Sequence, residues 1–360
     1  MKVLTVILTF CAALPAEAAT LHATPASLNA TLTKARGGDT ILLAPGTYAG
    51  WAPKGLSFSP AVTISSEDPG HRATFTNFDA HNIKGVTFQK LELRATAPGY
   101  FVFQLFNASD VHFDQVDVHG SLDGDPTDDA EGLRFVDSED ISVTNSEFHE
   151  LKRAAAISTS NRVKVSGNIA HDLEVTGFMF AACTQVSVTD NAVWTLKSVP
   201  GDHADAIQFL TAGTTTPSRD ITIARNLVYR GEGKATQGIF LRDQVGTLPY
   251  EHVSIADNLI VGTGYNGILV MGAAHLSVTG NELTSNPGST NNTWIHLQTA
   301  KDVQVERNRA QMIGIDTSTD VTQKANHLTQ PVKDRGAAAL RAWAAAHPAM
   351  AQTVRALVPS

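Results

Sequence analysis

The sequence predicts an all-β protein built as a right-handed parallel β-helix, with a capping helix at its N-terminal end and a helical tail at its C-terminal end. A short alternating apolar strand ending near asparagine recurs at intervals of about 22 to 35 residues, the period range of solenoids. A second apolar strand lies between the copies, and helical periodicity is missing there. Each period therefore holds two or three short strands and describes one coil.

The asparagine-ended strand is the clearest repeated element. Its best copies begin at Val163, Val186, Ile221, Val253, Leu276 and Val303, and weaker copies begin at Val86, Val111 and Ile141. The six best copies end at Asn168, Asn191, Asn226, Asn258, Asn281 and Asn308. Asparagine tolerates a left-handed backbone and its amide can bond to the next coil, so these residues predict a structural turn ladder.

The ends of a solenoid need covers, because an open coil exposes unpaired strand edges. Residues 27–35 predict a short amphipathic helix with Leu28 and Leu32 on its apolar face. Residues 335–358 are alanine-rich and predict a C-terminal helical cap or tail. The resulting division is a signal peptide over 1–18, a β-helix domain over 19–330 and the tail over 331–360.

The first residues have the pattern of a secretory signal peptide. Lys2 gives a positive start, residues 3–14 form a short apolar run, and Ala16-Glu17-Ala18 is a small-x-small cleavage site. The run is too short to span a bilayer. We therefore expect a periplasmic or secreted protein. Its one remaining cysteine, Cys183, lies in an apolar run and is interpreted as a buried, inert thiol.

Composition narrows the function classes. Hydrophobic residues make up 42% of the chain, which excludes a disordered protein. The net charge of −8 argues against nucleic acid as a partner, and we expect neither a membrane helix nor an oligomer. An acidic ligand would need a local basic patch.

Gly38-Asp39-Thr40-Ile41 followed by Pro45-Gly46-Thr47-Tyr48 resembles the opening of the pectate-lyase-like β-helix superfamily, in particular its chondroitinase-B and alginate-lyase branch. The resemblance covers roughly residues 20–325 and implies a carbohydrate-active protein acting on an acidic polysaccharide. The lysine and Arg-His-Gly motifs of the lyase branch are missing. Asp202-His203-Ala204-Asp205 is similar in type to the Asp-Pro-His-Asp motif of the mannuronan epimerases.

Substrate of a β-helix lies along one sheet face, where side chains of successive coils form columns. We align the second strands on inward-facing residues, namely Leu133, Ile157, Phe178, Ile207, Ile239, Ile268 and Ile295. The polar neighbours then predict one patch. Its members are Asp202, His203, Asp205, Gln208, Gln237, Arg242 and Asp243, with Lys152, Arg153, Lys234 and Tyr265 entering from turns and Arg134 further along.

The patch has the groups needed for proton abstraction from a uronate. His203 is the candidate base, oriented by Asp205 or Asp202. Arg242, with Arg153 or Lys234, can neutralise the carboxylate, and Tyr265 can donate a proton. The alternatives are that His203 caps a turn, that Gln208 and Gln237 form an amide ladder, and that Arg242 and Asp243 form a surface ion pair.

A second acidic run follows residue 122. Asp125, Asp128, Asp129 and Glu131 offer oxygen ligands suited to Ca²⁺, and the alternative is a solvated acidic loop. The leading hypothesis for the chain is a polysaccharide lyase that performs β-elimination on a uronate-containing polysaccharide. C5-epimerisation, hydrolysis by Asp202 and Asp205, and non-catalytic glycan binding stay open.

Overall fold

The chain winds into a solenoid of parallel strands, as predicted. The computed structural model describes residues 17–95, 100–286, 289 and 293–358. Every strand pairing among these residues is parallel. The central coils each contribute one strand to each of three sheets, here called sheets I, II and III in the order in which a coil passes through them.

The strands of sheet I are Thr20–Ala23, Thr40–Leu43, Ser57–Ser66, Lys84–Gln89, Ser109–Asp114, Glu139–Thr144, Asn161–Ser166, Thr184–Thr189, Arg219–Ala224, Tyr250–Ala256 and Thr319–Lys324. Those of sheet II are Gly46–Tyr48, Ala73–Phe75, Glu92–Arg94, Asp117–His119, Ala192–Leu196, Leu227–Tyr229, Leu259–Val261, Glu282–Thr284, Arg309–Ala310 and His327–Leu328. Those of sheet III are Phe78–His81, Phe101–Phe106, Glu131–Val136, Asp205–Leu210, Gln237–Arg242 and Met312–Asp316.

Four long strands bend from one sheet into the next. Glu147–Ser158 and Ile169–Ala181 begin in sheet II and end in sheet III, whereas Asn266–Thr279 and Trp294–Glu306 begin in sheet III and end in sheet I. The inward-facing valine, isoleucine, leucine and phenylalanine side chains of all three sheets form one continuous core. Cys183 lies in it, and burial raises the pKa of its thiol to about 11, which makes it unreactive.

Helices flank the solenoid at both ends of the chain. Leu28–Leu32 is an α-helix that buries Leu28 and Leu32. The tail forms the α-helices Ala337–Ala346 and Ala351–Ala356, joined by the 3₁₀ turn Pro348–Met350. Leu340 and Trp343 of the tail pack on apolar side chains such as Trp194 and Tyr229, which project from sheet II. The tail thus covers one side of the central coils, and Leu328 in the last coil is exposed.

The predicted asparagine ladder is confirmed and is fully buried. The Asn168 backbone N–H and its Nδ2 both donate to Oδ1 of Asn191 at 3.0 Å, and Nδ2 also donates to the carbonyl of Val143. The same pattern repeats at every step up to Asn308, which bonds in the same way to Asn326. Each amide therefore ties three successive coils together.

The prediction that asparagine occurs at these positions because it tolerates a left-handed backbone is wrong. The left-handed residue of each turn precedes the ladder asparagine, as at Gly167, Asp190, Arg225 and Asp257. The asparagine is selected instead for its side-chain amide, because that position is buried and the amide satisfies backbone groups of both neighbouring coils.

A column of rings follows the outer face of sheet II. His119, His149 and His171 stack with centroids 5.3 Å apart, and Trp194 continues the stack at 4.9 Å. The three histidines each contact a carboxylate of the preceding coil at 3.1 Å, in the pairs His119–Glu92, His149–Asp117 and His171–Glu147. The column therefore couples the coils at the corner where sheet II leads into sheet III.

The free energy of unfolding is expected to decrease at alkaline pH, because His171 loses its proton there. Burial lowers its pKa, but hydrogen bonds to Asp172 and Glu147 outweigh burial and raise the pKa to about 9. Since this value lies above the unfolded pKa of about 6.5, the contribution is full below about pH 6.5 and is lost as the pH rises through about 9. Unfolding in guanidinium measures the effect. Between pH 7 and pH 10 the free energy of unfolding of the wild type should decrease by about 1–3 kcal/mol more than that of His171→Gln.

His252→Gln is the matched control for this experiment. His252 also contacts a carboxylate of the preceding coil, Asp220, at 3.1 Å, but its side chain is 60% exposed. This variant should keep the wild-type pH dependence. An identical pH dependence of wild type and His171→Gln would contradict the assignment.

The signal peptide predicted for residues 1–18 lies almost wholly outside the described residues and stays a prediction. Within the described part of the chain, no helix is long and apolar enough to cross a membrane.

Candidate active site

Sheet III carries the predicted columns, with one correction to their register. Phe178, Ile207, Ile239, Ile268 and Ile295 pair as predicted. Leu133 and Phe178, however, pair with Ala155 and not with Ile157. Because Ala155 and Ile157 both point inward, a shift by two residues leaves the apolar pattern unchanged and is invisible in the sequence.

Asp205 and His203 form the centre of the site. Asp205 lies at the start of a sheet III strand and is completely buried, whereas the His203 side chain is 51% exposed. His203 Nδ1 lies 2.8 Å from Asp205 Oδ2, and Gln208 Nε2 donates to the same oxygen. The His203 ring packs edge-on against Phe240 of the next coil, with centroids 4.5 Å apart. The loop before the strand therefore folds the imidazole over the sheet III face.

The other ring nitrogen of His203 continues a chain of hydrogen bonds across three more coils. Trp294 Nε1 donates to Asn266 Oδ1 at 2.7 Å, Asn266 Nδ2 donates to Gln237 Oε1, and Gln237 Nε2 donates to His203 Nε2 at 2.7 Å. With Nε2 accepting, the neutral ring carries its proton on Nδ1, where it donates to Asp205. In this tautomer the electron pair of Nε2 accepts the Gln237 hydrogen bond and can instead take a substrate proton when that bond is released.

The pair shifts the pKa of both groups. The hydrogen bond to Asp205 raises the pKa of His203, while burial and the charge of Arg242 act in the opposite direction. Burial raises the pKa of the Asp205 carboxyl, and the hydrogen bonds from His203 and Gln208 oppose that rise. Asp205 Oδ1 is buried without a partner among the described residues, so the hydrogen bonds that stabilise this carboxyl are those that His203 and Gln208 donate to Oδ2.

Some of the predicted lysine and arginine side chains form ion pairs with carboxylates of the protein, and others do not. Arg242 and Lys234 are exposed, and within the described part of the chain neither side chain forms an ion pair. Lys152 lies 3.3 Å from Glu174 and Arg153 pairs with Glu131, both on strands and not on turns as predicted. Arg242 lies two residues after Phe240, the ring that His203 contacts, so it is available to a ligand carboxylate on the same face of sheet III.

Arg134 lies further along the sheet III face. Its Nη1 donates to Gln104 at 3.2 Å, and its guanidinium lies over Phe101 and Phe106 at 5.5 and 5.7 Å. These contacts hold the side chain against the protein.

Two carboxylates of the predicted site, those of Asp202 and Asp243, accept hydrogen bonds within turns of the protein. Asp202 Oδ2 accepts the Val199 backbone N–H at 3.0 Å. Asp243 is buried and accepts the Thr211 hydroxyl and the backbone N–H groups of Gly246 and Leu248, all at 2.9 Å. Asp243 is therefore not placed to bind substrate, because its oxygens are already used inside the turn.

An aromatic pair borders the far end of the hydrogen-bond chain. Tyr265 is 57% exposed, and its ring lies 6.2 Å from that of Trp294. Tyr265 lies two coils from His203, roughly 10 Å along the solenoid at the spacing of paired strands, and its role as a proton donor stays a prediction. Trp294 was missed because a register shift after Asn266 brings it, and not Thr293, into the column.

The predicted calcium ligands are only partly brought together. Asp128 and Asp129 lie side by side, and Asp123 joins them. Asp125 accepts hydrogen bonds from the Thr127 backbone and hydroxyl, and Glu131 pairs with Arg153, so both lie outside this cluster.

Comparisons with known proteins address the fold. A sequence model of the family described as right handed beta helix region matches residues 101–283. A search of curated protein sequences gives no match.

Three solved structures resemble the chain over most of its length. A mannuronic acid specific polysaccharide family 6 lyase from the human gut microbiota is 11% identical, with a TM-score of 0.53 over 87% of this chain and 82% of that one. The A-module of a mannuronan C-5 epimerase from Azotobacter vinelandii is 13% identical, with a TM-score of 0.50 over 86% and 94%. A surface protein and adhesin of Streptococcus pneumoniae is 14% identical, with a TM-score of 0.51 over 85% and 93%. At these identities the likeness establishes the fold, with the predicted right hand.

Proposed function

The chain belongs to the right-handed β-helix family, and from that premise we propose that it is a polysaccharide lyase acting on a uronate-containing polysaccharide. The observation that carries the proposal is the exposed imidazole of His203, oriented by the buried Asp205, on a sheet face where Arg242 forms no ion pair with a described residue. A base beside a free cation is what proton abstraction α to a carboxylate requires.

The reaction follows from the position of these groups. Arg242 binds the uronate carboxylate and neutralises the charge that develops on it. His203 Nε2 removes the proton from the adjacent carbon, whose electron pair forms a double bond to the next carbon. The glycosidic carbon–oxygen bond on that next carbon breaks, and the imidazolium of His203 can return its proton to the departing oxygen. Gln237 gives up its hydrogen bond to Nε2 when the substrate binds.

The surface around His203 supports a polymeric substrate. The hydrogen-bond chain from His203 to Trp294 runs across successive coils, about 4.8 Å apart. The adjacent amides of Gln237 and Asn266 lead to the half-buried ring of Trp294 and the exposed ring of Tyr265, and amides and rings are the groups that bind sugar hydroxyls and the apolar faces of sugar rings. Two of the structural neighbours are a mannuronic acid specific lyase and a mannuronan epimerase, which supports a uronan as the substrate class.

C5-epimerisation is the second candidate, because it uses the same proton abstraction and the same two residues. It differs only in that the proton is replaced on the opposite face and the glycosidic bond stays intact. Hydrolysis by Asp202 and Asp205 is disfavoured. Asp205 is completely buried and bonded to His203, so it cannot reach a glycosidic oxygen or an anomeric carbon.

The deciding experiment follows ultraviolet absorbance and reducing ends together. The purified protein is incubated with alginate, pectate, glucuronan and glycosaminoglycans, each with Ca²⁺ and with chelator. A lyase makes an unsaturated product, so absorbance and reducing ends should rise in parallel on at least one polymer. Reducing ends without absorbance would replace the proposal by hydrolysis. Exchange of the C5 proton with solvent, without cleavage, would replace it by epimerisation, and binding without any turnover by a glycan-binding role.

A further inference from the structure

The loop between strands Asp117–His119 and Glu131–Val136 concentrates negative charge without a counter-charge. One carboxylate oxygen from each of Asp123, Asp128 and Asp129 lies within 4.8 Å of the others. None of the three forms an ion pair with a described lysine, arginine or histidine. Lys197, three coils further along, is engaged by the Gly124 carbonyl and by Asp172, each at 2.9 Å.

Asp129 is the anomaly within this group. Its side chain is buried, with 3% of the residue exposed. Oδ1 accepts the Ser121 backbone N–H at 2.7 Å, but Oδ2 is buried and has no hydrogen-bond partner among the described residues. Burial raises the pKa of Asp129, Ser121 lowers it, and the carboxylates of Asp128 and Asp123 raise it further. A buried carboxylate oxygen without a partner is unfavourable unless a positive group meets it.

We propose that Asp123, Asp128 and Asp129 bind one hard divalent cation, with Ca²⁺ as the preferred ion. Ca²⁺ binds carboxylate oxygens at about 2.3–2.6 Å, so two oxygens on one ion lie at most about 5 Å apart, which the three carboxylates satisfy. Mg²⁺ demands a tighter octahedron and keeps its water, and Zn²⁺ prefers nitrogen and sulfur ligands. Backbone carbonyls of the loop and water would complete the shell.

The cation would hold the loop against the coils beside the candidate active site. The Gly124 N–H donates to Glu150 at 2.7 Å, and its carbonyl accepts Lys197, which begins the segment leading to His203. A fixed loop therefore braces the side of sheet III from which His203 projects. The site does not depend on the proposed reaction, because binding is measured without substrate.

The test uses the full-length protein, stripped with chelator and titrated with CaCl₂ by calorimetry, with MgCl₂ in parallel. One Ca²⁺ should bind with a dissociation constant on the order of 10⁻⁵–10⁻³ M and raise the unfolding temperature by a few degrees, while Mg²⁺ binds at least about tenfold more weakly. Asp129→Asn should lose at least about tenfold in affinity, and its metal-free form should be no less stable than wild type.

Asp125→Asn is the matched control. It removes one charge from the same loop outside the cluster, so it should bind Ca²⁺ within about twofold of wild type. Asp128→Asn, at an exposed position, guards against misfolding of the buried variant and should weaken binding while the circular dichroism spectrum stays wild-type. The proposal is overturned if wild type shows neither heat nor a stability shift, or if Asp129→Asn binds as tightly as wild type. Equal losses of Ca²⁺ affinity in Asp125→Asn and Asp129→Asn would overturn it as well, because the loss would then follow from the net charge of the loop and not from a ligand.

Discussion

Replacing His203 by glutamine is expected to lower turnover about 10²–10⁴-fold, with a much smaller change in substrate affinity. Glutamine keeps a polar side chain that can bond to Asp205 and Gln237, so the local fold should survive. It cannot accept a proton at neutral pH, so the step that depends on Nε2 is lost. Initial rates on the polymer identified by the absorbance assay measure the effect. His275→Gln, which changes an exposed histidine of sheet I, is the control and should keep wild-type rates.

The pH profile separates a catalytic His203 from one that merely caps a turn. Because the hydrogen bond that His203 donates to Asp205 raises the pKa of His203, activity should rise with pH through a midpoint above the ordinary histidine value. Asp205→Asn should move that midpoint toward acid and lower the maximal rate, since the ring loses both its orientation and its counter-charge. Full activity in His203→Gln, or an unmoved midpoint in Asp205→Asn, would remove His203 from the mechanism.

The asparagine ladder is expected to give the largest loss of stability, about 4 kcal/mol or more for Asn226→Ala. Asn226 Oδ1 accepts the backbone N–H and Nδ2 of Asn191, both at 3.0 Å. Its Nδ2 donates to the Val188 carbonyl at 2.9 Å and to Asn258 Oδ1 at 3.0 Å. Alanine leaves these buried groups unsatisfied in three coils at once, and each costs about 1–3 kcal/mol. Chemical unfolding of the two proteins measures the difference.

Asn326→Ala provides the control within the same ladder. Asn326 is the last member described, is only partly buried, and accepts Asn308 without a further asparagine beyond it. Water can replace its bonds, so the loss should be about 1 kcal/mol. Equal losses at both positions would mean that each asparagine stabilises only its own turn and that the ladder does not couple the coils.

Features that depend on nearby residues could be predicted from the sequence. The alternation of apolar residues fixed which side chains face the core, because a strand has a period of two. The repeated asparagine at one offset identified the ladder. Asp205 and His203 were found together because they are two residues apart, so one turn before one strand places both.

Features that depend on neighbouring coils were predicted less well. The apolar pattern is identical after a shift by two residues, so it placed Ile157 where Ala155 lies. A single register shift exchanged Thr293 for Trp294 at the end of the hydrogen-bond chain.

The sequence by itself thus determined the solenoid, the ladder and the His203–Asp205 pair, since each arises from spacing along one strand or from exact repetition. Only the tertiary structure decided which charges are free to act. Lys152 and Arg153 are engaged by Glu174 and Glu131, whereas Arg242 forms no ion pair with any residue that the structure describes. The physical reason is that an ion pair across coils depends on register and bulges, and a displacement of one coil spacing, about 4.8 Å, is enough to make or break it.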